Sequence, residues 1–280
     1  MAMSLRDRLE AGLVDRANQV DQNLPAWARR GNPIVMRHLG GWYRAELPEV
    51  RHLLRLYFAQ IFILLLSFVA PFVFVIMIPF MTACLFLLPF GFYFYLRMLL
   101  QIMVDAVATV TEELRGNTLE LLRTTPYELY EILLSKAASA LWRQMGILSS
   151  LLLFVSIVSL PVLAVQVFSE WPLTEYPIVS RLALMSSLTS VLLRLLLEPM
   201  MIAILAIALG VSLPHRGIAT VWTVSMMAFY YLLVNLPRML PLSWPLRFAV
   251  EYALPVGLPI LLTLIFMRYA IYALMRDGID

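Results

Sequence analysis

A chain of 280 residues that is 61% hydrophobic, only 14% charged and of mean hydropathy +0.83 is far from the composition of a soluble domain, where about 25% of residues carry charge. The formal net charge is +3, and every basic residue but one is Arg, Lys136 being the single Lys. One cysteine, Cys84, excludes an intramolecular disulfide. The expected class is an all-α integral membrane protein.

Residues 1–55 form a polar segment of mixed charge without a long apolar run. They predict a cytoplasmic N-terminal region with amphipathic surface helices and no cleaved signal peptide. Leu5, Leu9 and Leu13 mark one short amphipathic turn. Asn32-Pro33-Ile34-Val35-Met36-Arg37-His38-Leu39 mixes apolar and basic residues as a helix lying on a membrane surface does. The other reading is a solvated tail whose charge only sets topology.

From Leu56 to Leu96 no residue is charged. A helix crosses the ~30 Å hydrocarbon core in ~20 residues, so this run holds two spans, about 56–77 and 82–105, with the turn expected near Ile78-Pro79. Further apolar runs predict spans at about 144–169, 185–213, 218–237 and 252–275, so 56–280 reads as a six-span domain. The proline-broken stretch Arg238 to Glu251 is expected in the outer interface. Counting Arg and Lys sets the orientation. With the N-terminus inside, cytoplasmic segments hold fifteen and outer segments three, Arg181, Arg238 and Arg247. Both termini and the 110–136 interval are therefore expected in the cytoplasm.

That interval carries clear helix punctuation. Gly116 is placed to end one helix. Asn117 can cap a short helix with Glu120 three residues on, and Thr125-Pro126-Tyr127-Glu128 reads as the start of another. Within spans, Arg97, Arg194 and Glu198 are candidate functional charges. Arg194 and Glu198 share a helix face. They lie mid-membrane if the fourth span covers about 185–205, and anchor at the outer interface if it starts near 195. Arg97 either snorkels or faces a cavity.

Enzyme chemistry is missing from the sequence. There is no G-x-x-x-x-G-K-[ST], no H-E-x-x-H and no G-x-S-x-G. His38, His52 and His215 are scattered, so neither a metal site nor a catalytic residue is expected, and nothing points to nucleic acid.

At Glu112-Glu113-Leu114-Arg115-Gly116-Asn117-Thr118-Leu119-Glu120-Leu121-Leu122-Arg123-Thr124-Thr125-Pro126, and on through Glu131-Ile132-Leu133-Leu134-Ser135-Lys136, the chain resembles the permease subunit of type-2 ABC exporters. That family carries an acidic-basic run, Gly-Thr-Leu-Glu-x-Leu, Thr-Pro and Glu-Ile-Leu-x-x-Lys before its third span. Here Asn117 stands where the family has Gly before Thr. The Asn32 to Arg37 segment and Gly210-Val211-Ser212-Leu213 are similar to the family more weakly. The resemblance implies a cytoplasmic coupling helix between spans 2 and 3, docked on a separate ABC ATPase subunit that binds ATP and Mg. Leu119 and Leu122 would fill an apolar groove. Glu112, Glu113, Arg115 and Glu120 would make polar contacts around it, with Asn117, Thr118, Thr125 and Pro126 completing the contact set. It also implies a second permease subunit, homo- or heterodimeric, and a bacterial inner (plasma) membrane. The alternative is a permease-derived scaffold or accessory subunit that does not transport.

Overall fold

The computed structural model describes residues 21–22, 24–39, 50–70, 72–116, 127–213, 215–240 and 243–276, and among these there is no strand. Helices run over Pro33–Leu39 (α1), Val50–Val69 (α2), Val73–Arg115 (α3), Leu129–Arg143 (α4), Met145–Glu170 (α5), Pro177–Ser212 (α6), Arg216–Asn235 (α7), Trp244–Phe248 (α8) and Leu254–Arg276 (α9). Six helical stretches are long and apolar enough to cross a membrane: α2, α3, α5, α6, α7 with the turn after it, and α9 with the turns before it. The chain is a multi-pass helical membrane protein.

The break between the first two long helices falls after Val69 and before Val73, not at Ile78-Pro79. Pro79 and Pro89 both lie inside the 43-residue α3. A helix-interior proline removes one bond to the carbonyl four residues back, which packed membrane helices tolerate. At ~1.5 Å per residue α3 is ~65 Å long, about twice the hydrocarbon thickness. One end must therefore project, and it is the end carrying Asp105, Glu112, Glu113 and Arg115. Gly116 follows as the C-cap with right-handed backbone (φ −83°, ψ 0°), its N–H donating to the Glu112 and Leu114 carbonyls.

The helix after the 117–126 interval starts later than its punctuation predicts. Glu128 is extended (φ −65°, ψ 146°) and is itself the N-cap of α4, without a side-chain cap bond, so it cannot close a box from inside the helix. α4 then packs ten buried residues, from Ile132 to Trp142, beneath the bundle.

α6 is the centre of the fold. Met201 to Ala208 are all buried, and they join Met98, Leu99, Ile102, Met103, Ala106 and Val107 of α3 in one core. Where these helices cross, a Cβ on Gly210 would lie 3.6 Å from the Val107 backbone. That is ordinary van der Waals contact, so α6 packs directly on the α3 backbone at this point. Arg181, at the start of α6, is 6% exposed. It donates Nε to Ser67 Oγ (3.0 Å), Nη2 to the Ser67 carbonyl (2.7 Å) and Nη1 to the Pro177 carbonyl (2.8 Å). Its guanidinium also lies 4.2 Å from the Phe68 ring. A cation at a helix C-terminus satisfies carbonyls that have no helical partner, and here it fastens α2 to the bundle.

α1 forms within the Asn32 to Leu39 segment: Asn32 Oδ1 accepts from the Ile34 N–H at 2.9 Å, and Pro33 takes the first helical position. Its apolar face is not left for a membrane surface, because Val35 and Leu39 pack on Ala138 and Trp142 of α4. The earlier Leu5 to Leu13 stretch lies outside the described residues.

Candidate functional site

Glu198 sits on α6 just before Pro199, in an otherwise apolar stretch, and is fully buried. Four donors converge on its carboxylate. Arg194, one turn back on the same helix, donates Nε to Oε1. Tyr95 of α3 donates to Oε2. From α7, Tyr230 donates to Oε1 at 2.7 Å and Tyr231 to Oε2 at 2.9 Å. The Arg194 guanidinium also lies 5.6 Å from the Tyr231 ring. A buried ion pair repays its desolvation only when the remaining lone pairs are satisfied, and three phenols do that here. The cluster ties α3, α6 and α7 together through one atom group.

Two cavities meet at Arg194. The larger, about 280 Å³, runs between α3, α5 and α6 and is walled by Leu88, Phe92, Phe154, Val158 and Leu195, with Tyr95, Arg194 and Glu198 at one side. The smaller, about 80 Å³, is polar, and Gln166, Ser190, Arg194, Arg238 and Glu251 line it. Leu163 and Val191 border both. Two carboxylates of the smaller cavity's wall are bound by Arg247, Glu170 at 2.9 Å and Glu251 at 3.0 Å. Arg238 is less well served. Its Nη1 and Nη2 donate to Asn235 Oδ1 and the Glu251 carbonyl over 3.5 and 3.4 Å, and its buried Nε has no partner.

A second polar centre lies where the projecting end of α3 meets α1 and α4. Lys136 is completely buried and its ammonium contacts Glu113 Oε2. His38 Nε2 is 3.1 Å from Glu113 Oε1. Arg143 bridges the same elements, bonding Asp105 Oδ1 at 3.2 Å and donating Nε to the His38 carbonyl at 3.1 Å. Burial pushes the Lys136 ammonium down to about 7, with nearby Arg37 adding to it. Burial likewise pushes His38 down to about 4, helped by Lys136, Arg37 and Arg143 and opposed by Glu112.

The residues expected at the docking surface divide. Asn117, Thr118, Leu119, Glu120, Leu122, Thr125 and Pro126 lie outside the described residues. Glu112 is exposed and 3.6 Å from Arg216 of α7, and Arg115 is exposed. Glu113 corrects the expectation: it is 4% exposed and turned inward to Lys136, because a carboxylate at that register faces α4. Of the intramembrane charges, Arg97 stays on the outer surface of the bundle, whereas Arg194 and Glu198 come together inside it. α6 runs unbroken from Pro177, and Glu198 is buried within the bundle from the middle of that helix. Sequence reasoning missed Tyr95, Tyr230 and Tyr231; adjacent phenols inside an apolar run were the available signal. Among the described residues no group of three or more His, Cys, Asp or Glu could hold a metal ion.

Comparison with models of known families, with curated proteins and with solved structures finds no match to this chain.

Proposed function

We propose that the chain is the permease subunit of an ATP-binding-cassette exporter, driven by a separate ATPase subunit and paired with a second permease subunit. Both termini and the 110–136 interval face the cytoplasm of a bacterial cell, and the spans cross its inner membrane. The spaced resemblance from Thr118 to Lys136 is the observation that carries this reading. The described helices are consistent with it in one mechanical respect. In the sequence the 117–126 interval links α3 to α4, and Glu113 and Lys136 bolt those two helices together. A push on the interval would reach α3 directly, and α3 carries Tyr95 to the Glu198 cluster. Rocking of the spans would then follow ATP-driven closure of the partner.

The test is co-purification from membranes with and without Leu119→Asp or Leu122→Asp. An ATPase that accompanies the wild-type chain and is lost from either variant supports the exporter. Stable association with non-ATPase membrane proteins alone would replace it with the scaffold.

A further inference from the structure

We propose that the two adjacent cavities sharing Arg194 form a binding site for an anionic amphiphile. Its hydrocarbon chain lies between α3, α5 and α6, and its carboxylate or phosphate head reaches Arg194 and Arg238. The inference rests on the cavity geometry and stands independently of the exporter reading.

The shape sets the class. An apolar cavity of about 280 Å³ that shares the wall residues Leu163, Val191 and Arg194 with a more polar one of about 80 Å³ suits a molecule with a long greasy part and a small polar end. Ligand sites are mostly apolar, with a few convergent polar groups that fix orientation. Here Leu88, Phe92, Phe154 and Val158 supply the first part.

Charge sets the head. Each carboxylate near the junction is already committed: Glu198 to Arg194 and three tyrosines, Glu170 and Glu251 to Arg247. The group short of partners is a cation. Arg238 has two long bonds and an orphaned, buried Nε, and a buried donor without an acceptor is costly. Arg194 spends Nε on Glu198 and borders both chambers. An oxyanion at the junction accepts from both guanidiniums, in the fork geometry that favours Arg for carboxylate and phosphate. A cationic or purely apolar head leaves Arg238 Nε as it is.

The test uses the full chain in detergent with two photoreactive probes, a long-chain alkyl carboxylate bearing a mid-chain diazirine and its methyl ester. The carboxylate is expected to label α3 and α5 around Phe92 and Phe154, well above the ester. Arg238→Gln should cut carboxylate labelling about tenfold, the worth of one charge-assisted hydrogen bond, without changing ester labelling. In Gly91→Ala the new Cβ collides with the Phe154 ring and drives it toward the chamber, so labelling by both probes should fall. Thermal melts check that the variants fold. If Arg238→Gln does not, the carboxylate-to-ester ratio on the wild type decides alone. Competition by unlabelled single-chain carboxylate points to that ligand, and competition by phosphatidic acid points to a membrane lipid; either supports the site. Equal labelling by the two probes, or labelling confined to lipid-facing surfaces, overturns it.

Discussion

Lys136 lies fully buried with its ammonium against the Glu113 carboxylate, joining the middle of α4 to the end of α3. A buried pair is worth little against an apolar isostere, but removing one partner strands a charge and costs about 3–5 kcal/mol. Lys136→Met should therefore lower stability by about 3 kcal/mol, and Lys136→Met with Glu113→Gln should recover most of it. Thermal unfolding in detergent checks both; a double variant no better than the single one refutes the pairing argument.

His38 gives the pH dependence. Its folded value is about 4 against the ordinary 6.5, so between those values the unfolded chain binds more protons. Stability contributed by neutral His38 is present above pH 6.5 and is lost as pH falls through 4. At about 1.4 kcal/mol per unit the loss approaches ~3 kcal/mol. His38→Gln should flatten that part of the stability–pH curve relative to wild type. Parallel curves would contradict the burial of a neutral imidazole.

The Glu198 cluster makes a graded prediction. Tyr230→Phe and Tyr231→Phe each remove one donor and should cost about 1 kcal/mol. Glu198→Gln leaves the Arg194 guanidinium without its counter-charge and should cost about 3 kcal/mol. A melting series that ranks Glu198→Gln no worse than the tyrosine variants would show the charge to be solvated after all.

Arg181 makes three hydrogen bonds at the junction of α2 and α6. Arg181→Leu should cost about 2 kcal/mol and speed amide exchange at residues 64–70 more than elsewhere. Uniform exchange across the bundle would argue against a local clasp.

What could be read in advance followed from hydropathy. Long uncharged runs announce spans because charge is expensive in hydrocarbon, and all six emerge as helices. Pro79 misled because proline marks a turn in water yet rides inside α3, where neighbours absorb the lost bond. The start of α4 misled for a related reason, since capping boxes are local signals and Glu128 is fixed extended. The Glu198 cluster was half legible. Arg194 four residues away is a local relation, but Tyr95 lies 103 residues distant in sequence and only packing brings it near. Glu113 was misassigned on the same ground: a polar interval says where charges are, and the helix register says which way they face.

The crossing of α3 and α6 at Val107 and Gly210 is placed to act as a fulcrum for the rocking proposed above. From it α3 runs ~12 Å to Arg115 in one direction and ~27 Å to Pro89 in the other. A tilt about that point moves the wall of the apolar cavity a little over twice as far as the projecting tip. In such a tilt the long helix would be a lever geared for amplitude at the apolar cavity, and Tyr95, about two thirds of the way along the longer arm, would be the tether that limits its throw.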